Sequence, residues 1–214
     1  MAELKVSEIF QSIQGESSWA GLPCVFVRLA GCPLDCRWCD TAYAKTGGRD
    51  MELSAIMDQV AAFGQNLVEV TGGEPLAQSQ TPELLSALCQ TGYTVLLETN
   101  GCEDIRGLDK RVHVIMDLKC PSSGMHGRTL WSNLKTLKPS DEVKLVIADR
   151  ADYEYAREVI AERGLAQRCG VLLSTVHGKL EPRLAVEWLL ADKLPVRFQL
   201  QLHKFIWPPD TRGV

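Results

Sequence analysis

Short apolar runs recur along the chain, with segments of helical period between several of them. Val25–Leu29, Leu67–Thr71, Thr94–Glu98, Val112–Asp117, Glu142–Ile147, Val171–Ser174 and Phe198–Leu202 are rich in β-branched and aliphatic residues. Runs this short, bounded by turn residues, predict buried strands. Ala55–Phe63 carries apolar residues at helical spacing behind Ser54, a candidate cap. Thr81-Pro82-Glu83 opens a second helix with a capping threonine and a first-turn proline, and Gly92 closes it. Further helices are expected at about Asp152–Arg163 and Leu184–Ala191, with a short one at Trp131–Leu137.

Strands alternating with helices imply a parallel sheet. A full eight-unit barrel takes ~250 residues, and this chain has 214. The expected fold is therefore α/β: an abridged (β/α)6-type partial TIM barrel of parallel strands, as one domain over residues 1–214. Polar or glycine-rich residues follow nearly every predicted strand, and the carboxyl ends of such strands are where active sites collect.

Composition narrows the class. An apolar content of 45% suffices for a full core, and no apolar run is long enough to span a membrane. The first residues lack a charged head followed by an apolar stretch, so no signal peptide is expected. The net charge is −4 with Lys and Arg dispersed, which argues against a nucleic-acid surface. Eight cysteines in a mixed chain of this size point to reduced thiols and a cytoplasmic setting, not a disulfide scaffold.

Cys32, Cys36 and Cys39 form C-P-L-D-C-R-W-C. Three thiolates in one loop can share a metal centre, and three leave one position open. An iron–sulfur cube so held keeps one iron free for a small ligand. A zinc site completed by Cys24 or a histidine is the alternative that spacing alone leaves open. Thr71-Gly72-Gly73-Glu74-Pro75 offers close backbone approach and a carboxylate that can accept from an ammonium; an ordinary turn is the plain reading. Gln14-Gly15-Glu16 can read a heterocycle's donor and acceptor edge, or simply turn the chain. Arg28 lies inside an apolar strand with no acid adjacent in sequence, so either a substrate carboxylate or a structural ion pair must balance it. Asp40-Thr41 offers the oxygen ligands magnesium prefers, or a turn cap.

Together, Q-G-E, F-V-R-L-A-G-C-P-L-D-C-R-W-C-D-T, T-G-G-E-P, L-E-T-N-G, D-L-K-C-P and Q-L-H-K resemble the 7-carboxy-7-deazaguanine synthase family of the radical S-adenosylmethionine superfamily, over nearly the whole chain. The resemblance implies a [4Fe-4S] cluster on Cys32, Cys36 and Cys39, S-adenosylmethionine, and Mg2+ at Thr41. It implies cofactor contacts from Trp38, Asp40, Gly72, Gly73, Glu74, Gly101, Asp117, Leu118, Lys119, Ser174 and Thr175. It implies substrate contacts from Ile13, Gln14, Gly15, Glu16, Arg28 and Thr99. His203 joins them, as a residue expected to end the last strand on the motif face. The implied reaction contracts the ring of 6-carboxy-5,6,7,8-tetrahydropterin to 7-carboxy-7-deazaguanine with loss of ammonia, on the route to queuosine. The implied partners are an electron donor such as flavodoxin or ferredoxin and a second copy in a homodimer, with no nucleic acid and no membrane. Two features depart from the family pattern. Asp117-Leu118-Lys119 stands where some relatives have S-P-K, and the tail runs past His203-Lys204 through Trp207-Pro208-Pro209 to Val214. An activase acting on a glycyl-radical enzyme is the alternative among radical proteins, and a zinc-stabilised binding module the alternative outside enzymes.

Overall fold

Alternating burial on the strands sorts their side chains into an outer face under the helices and an inner face around a cavity. The computed structural model describes residues 3–209 and 211–214. In chain order the elements are β1 (Glu3–Ile13), β2 (Pro23–Leu29), β3 (Arg49–Glu52), α1 (Leu53–Ala62), β4 (Leu67–Gly72), α2 (Thr81–Gln90), β5 (Thr94–Thr99), β6 (His113–Leu118), β7 (Glu142–Ile147), α3 (Arg150–Glu162), β8 (Gly170–Thr175), α4 (Pro182–Asp192), β9 (Arg197–Phe198) and α5 (His203–Ile206). Among the described residues one sheet runs in the order β3-β1-β2-β4-β5-β6-β7-β8-β9. From β2 through β9 the neighbours are parallel, whereas β1 pairs antiparallel with both β2 and β3. The sheet is open, with β3 and β9 at its edges.

The outer face packs Val25, Val27, Val70, Leu97, Met116 and Leu145 into the main core beneath the helices. The inner face starts apolar, with Cys24, Phe26, Leu67, Leu96 and Ile115 in a smaller cluster. Each fully buried aliphatic or aromatic side chain there contributes roughly 1.5–3 kcal/mol. This cluster plugs the lower part of the half-barrel and leaves its upper part free to be polar.

The partial barrel is as expected, with local differences. β1 and β3 were not among the expected strands. Their strand-forming residues are mixed with Lys, Glu, Asp and Gln, because the two strands lie at the exposed side of the sheet. α1 begins at Leu53, so Ser54 sits inside the first turn and no side chain caps it. Thr81 is likewise the first helical residue, and its hydroxyl donates to Pro75 O at 2.5 Å. Gly92 does end α2, at φ +95°. Between β6 and β7 there are only 3-10 turns, including Trp131–Lys135. The last strand stops at Phe198. Leu202 N then bonds Gly15 O at 2.9 Å, pulling the chain off the sheet, and His203 starts α5 instead of ending a strand.

Candidate active site

A cavity of about 430 Å³ opens at the carboxyl ends of the parallel strands. That volume suits a small organic ligand. Cys32, Cys36 and Cys39 stand at its rim, each partly exposed. Their loop is pinned from three sides: Gly31 N donates to Ala44 O, Glu74 N to Gly31 O, both at 2.8 Å, and Arg37 N to Ser123 O at 3.1 Å. Gly73 lies directly against it. A Cβ there would overlap Gly31 O and come within 2.7 Å of Cys32 Cβ, so only glycine lets β4 end under the cysteine loop. The same holds for Gly72, at φ +148° against the Leu29 backbone.

Among the described residues no three His, Cys, Asp or Glu side chains converge closely enough to hold one ion. The zinc alternative is corrected further by Cys24, which is fully buried in the lower apolar cluster and not in the cysteine loop. Burial raises the Cys36 thiol, and the Lys119 ammonium opposes the rise. Trp38 flanks the loop, donating from its indole nitrogen to Ser122 Oγ at 3.0 Å, with Lys119 Nζ 5.6 Å from its ring. Ser122 is in turn held by the Asp152 carboxylate at the start of α3, through its backbone nitrogen at 2.9 Å and its hydroxyl. Thr41 stands at the head of the 3-10 turn Ala42–Lys45, yet its hydroxyl caps nothing; it lies 3.9 Å from Cys39 Sγ and faces the cavity. Asp40, half-exposed at its side chain, pairs with Lys204 at 2.9 Å, and that ammonium holds its carboxyl below the usual carboxylate range.

Several expected contacts have other tasks. Glu74 is wholly buried, and its carboxylate accepts from Asn100 N at 2.7 Å, Thr99 Oγ1 at 2.9 Å and Leu76 N at 3.0 Å. It clamps β4 to the end of β5 and does not line the cavity, whereas the expectation sets it against the cofactor's ammonium. The side-chain amide of Gln14 is also spent internally, with Oε1 accepting from Glu16 N at 2.9 Å and Nε2 donating to Glu69. Arg28 does have an acidic partner: Glu8, opposite it on β1, accepts from Nε at 2.7 Å and from Tyr43 Oη at 2.7 Å. The guanidinium still borders the cavity. Leu118 points the opposite way from Asp117 and Lys119, into the main core, as strand alternation requires. Gly101 is buried at φ +71° against Met116, while Ser174 and Thr175 are buried and do not line the cavity. Ile13, Gln14, Gly15, Glu16, Thr99, Asp117, Lys119 and His203 do line the cavity. His203 rests against Gly15 so closely that a Cβ at Gly15 would overlap Nδ1, and burial holds the imidazole below its ordinary value against the pull of Glu16.

Sequence reasoning passed over Glu69, Glu98 and Lys144, which line the cavity from β4, β5 and β7. It also left the tail without a role. Pro209 and residues 211–214 return to the cavity, with the Arg212 guanidinium 4.1 Å from the centre of the Tyr43 ring. The buried atoms Asp117 Oδ1 and Ser174 Oγ have no hydrogen-bond partner in the protein. Polar atoms left so inside a fold are unfavourable unless water or a ligand completes them, and the same holds of Ser12 Oγ and Gln199 Nε2.

An open α/β half-barrel carrying three clustered thiols at its cavity rim defines a radical S-adenosylmethionine protein, and the Radical SAM superfamily matches residues 27–126. The chain is 54% identical over its whole length to the 7-carboxy-7-deazaguanine synthase of Chlorobaculum tepidum, covering 98% of that protein. It is 42% identical to the enzyme of the same name from Koribacter versatilis, over 99% of this chain and 100% of the relative. A crystal structure of QueE from Escherichia coli shares the fold, with a TM-score of 0.76 over 94% of this chain and 95% of the other at 24% identity. The chain belongs to the 7-carboxy-7-deazaguanine synthase family. A [4Fe-4S] cluster, S-adenosylmethionine and Mg2+ follow from that membership. Among the described residues no helix is long and apolar enough to cross a membrane.

Proposed function

We propose that this chain, as one radical SAM domain, converts 6-carboxy-5,6,7,8-tetrahydropterin to 7-carboxy-7-deazaguanine and ammonia. The observation that carries the proposal is the full-length identity to synthases of that name, combined with three clustered thiols at a cavity of small-molecule size. When bound, the cluster and S-adenosylmethionine supply reductive carbon–sulfur cleavage and a radical that abstracts hydrogen. The protein's own part is position and exclusion of solvent. Cys32, Cys36 and Cys39 hold the cluster, and the Gly72-Gly73 backbone, Trp38, Asp40, Asp117 and Lys119 border the cofactor. Arg28 and His203 border the substrate, with Ile13, Gly15, Glu16 and Thr99 around it. The open Thr41 hydroxyl holds Mg2+ together with substrate oxygens and water. A flavodoxin or ferredoxin supplies the electron, the working unit is a homodimer, and the setting is the cytoplasm.

The test is an anaerobic assay of reconstituted protein with the carboxylated tetrahydropterin, S-adenosylmethionine, Mg2+ and a chemical reductant. Formation of 7-carboxy-7-deazaguanine is the expected result. Cleavage of S-adenosylmethionine with no change in the pterin would overturn the substrate assignment.

A further inference from the structure

Of the L-E-T-N-G run, Thr99 and Gly101 carry expected roles, and Asn100 between them carries none. Its side chain reaches the cysteine loop. Asn100 Nδ2 donates to Cys32 Sγ at 3.7 Å, and Leu34 N donates to the same sulfur at 3.4 Å. The other two thiols are served differently. Cys39 Sγ meets the Thr41 hydroxyl at 3.9 Å, and among the described residues no nitrogen donates to Cys36 Sγ. Cys32 is the sulfur of the three on which two N–H groups converge.

The amide is held in this orientation from several sides. Asn100 follows directly on β5 and is only 8% exposed. Its Oδ1 accepts from Cys102 N at 3.0 Å, which fixes the oxygen on that side and leaves the NH2 group facing Cys32. Its own backbone N–H donates to Glu74 at 2.7 Å, and Thr99 and Leu76 lock that carboxylate in turn. The buried Glu74 clamp therefore sets where the Asn100 amide stands. The choice of acceptor is informative. A neutral thiol accepts weakly, so a mostly buried amide donor aimed at one is poorly satisfied. A metal-bound thiolate carries negative charge, and hydrogen bonds to it are of the stronger, charge-assisted kind. The pair is arranged for Cys32 as a cluster ligand.

We propose that Asn100 is a positioning residue for the [4Fe-4S] cluster: its side-chain amide orients the Cys32 thiolate and makes the cluster easier to reduce. The inference rests on the three-cysteine cluster assignment and is independent of the pterin substrate. Hydrogen bonds to the ligand sulfurs are among the levers that set an iron–sulfur potential. The reduced cluster holds one more electron, so its sulfurs are more negative, and an N–H dipole stabilises it more than the oxidised form. Removing the donor must then shift the one-electron equilibrium toward the oxidised cluster. The backbone donor Leu34 N stays in place, so the change is partial.

The experiment titrates the reconstituted protein anaerobically with a chemical reductant and redox mediators, and reads the one-electron-reduced cluster by electron paramagnetic resonance. Asn100→Leu is close in size and lacks the donor. Its reduction equilibrium is expected to fall about tenfold, which is ~59 mV for one electron, at unchanged iron content. Asn100→Asp keeps an acceptor for Cys102 N and sets a carboxylate against the sulfur, so a larger shift in the same direction is expected. Cys102→Ala, which leaves that backbone N–H in place, is the control and should keep the wild-type midpoint. A wild-type midpoint in both Asn100 variants at full iron content would overturn the inference. So would loss of the cluster from both, since Asn100 would then hold the loop and not tune the cluster. Wild type that assembles no four-iron cluster would overturn the cluster assignment itself, and this inference with it.

Discussion

Replacing Glu74 by glutamine separates two accounts of the T-G-G-E-P turn. In the structure this carboxylate is wholly buried, with Asn100 N on one oxygen and both Leu76 N and Thr99 Oγ1 on the other. Burial lifts its titration from 4.5 to about 7, even though the two backbone N–H groups and the Thr99 hydroxyl pull it down. An acid raised in this way binds its proton more tightly folded than unfolded. Stability is therefore highest below the unfolded value and falls as pH rises from about 4.5 through 7. At about 1.4 kcal/mol per pH unit, the loss across that window is on the order of 3 kcal/mol. Glutamine is a permanent mimic of the protonated form. Its amide can keep Asn100 N and donate to Thr99 Oγ1, but it leaves Leu76 N unpaired at a cost of about 1–3 kcal/mol. Wild type is thus expected to be the more stable at pH 5, and to lose ~3 kcal/mol relative to Glu74→Gln by pH 8. Urea unfolding of the metal-free protein at several pH values measures this difference, and subtraction cancels every other titrating group. S-adenosylmethionine affinity of the reconstituted variant should stay within a few-fold of wild type. Parallel stability curves, with a selective collapse of S-adenosylmethionine affinity, would refute the clamp and restore a direct contact between carboxylate and cofactor.

Alanine at Cys32, Cys36 or Cys39 should abolish both iron loading and S-adenosylmethionine cleavage, whereas Cys89→Ala and Cys169→Ala, on the helix side of the sheet, should leave both intact; iron and deoxyadenosine assays decide. Gly73→Ala drives a methyl into Gly31 O and the Cys32 side chain, and should cut iron retention and lower the melting temperature by an overpacking cost of ~1–3 kcal/mol; Gly127→Ala, which meets nothing within 4 Å, is the control. Thr41→Ala should lose the Mg2+ response of turnover without losing the cluster, and Thr41→Ser should be milder; identical Mg2+ titrations in Thr41→Ala and wild type would move the ion elsewhere.

What the sequence could reveal follows from range. The alternation of apolar runs and helices is local, and it yields the half-barrel with strand ends correct to one or two residues except at the last strand. There, a tertiary bond from Leu202 N to Gly15 O decides the path, and no local pattern anticipates it. The cysteine loop is legible because its three ligands lie within eight residues. Partners across strands are not. Glu8 is twenty positions from Arg28, and only the antiparallel pairing of β1 and β2 sets them opposite each other. Glu74 shows the same limit of range. A carboxylate after two glycines at a strand end reads as a ligand, and only the approach of Thr99 and Asn100 from the next strand shows that its acceptor capacity is already used.

One pattern was present in the sequence and went unread. A parallel strand covered on both faces should be apolar throughout. V-F-V-R-L, L-V-E-V, V-L-L-E-T, V-I-M-D-L and V-K-L-V-I each break that rule with one charge. Taken singly, each reads as a structural ion pair. Taken together, with alternation placing them all on the face opposite the helices, they mark a half-barrel whose upper interior is polar. The charges themselves pair across strands in an order the sequence does not reveal, with Lys144 among Glu16, Glu98 and, at 3.7 Å, Asp117. Repeated charge at the inner position of consecutive parallel strands is thus a sign of a ligand cavity that needs no motif. In this chain it identifies the layer beneath the cysteine loop where substrate selection is to be sought.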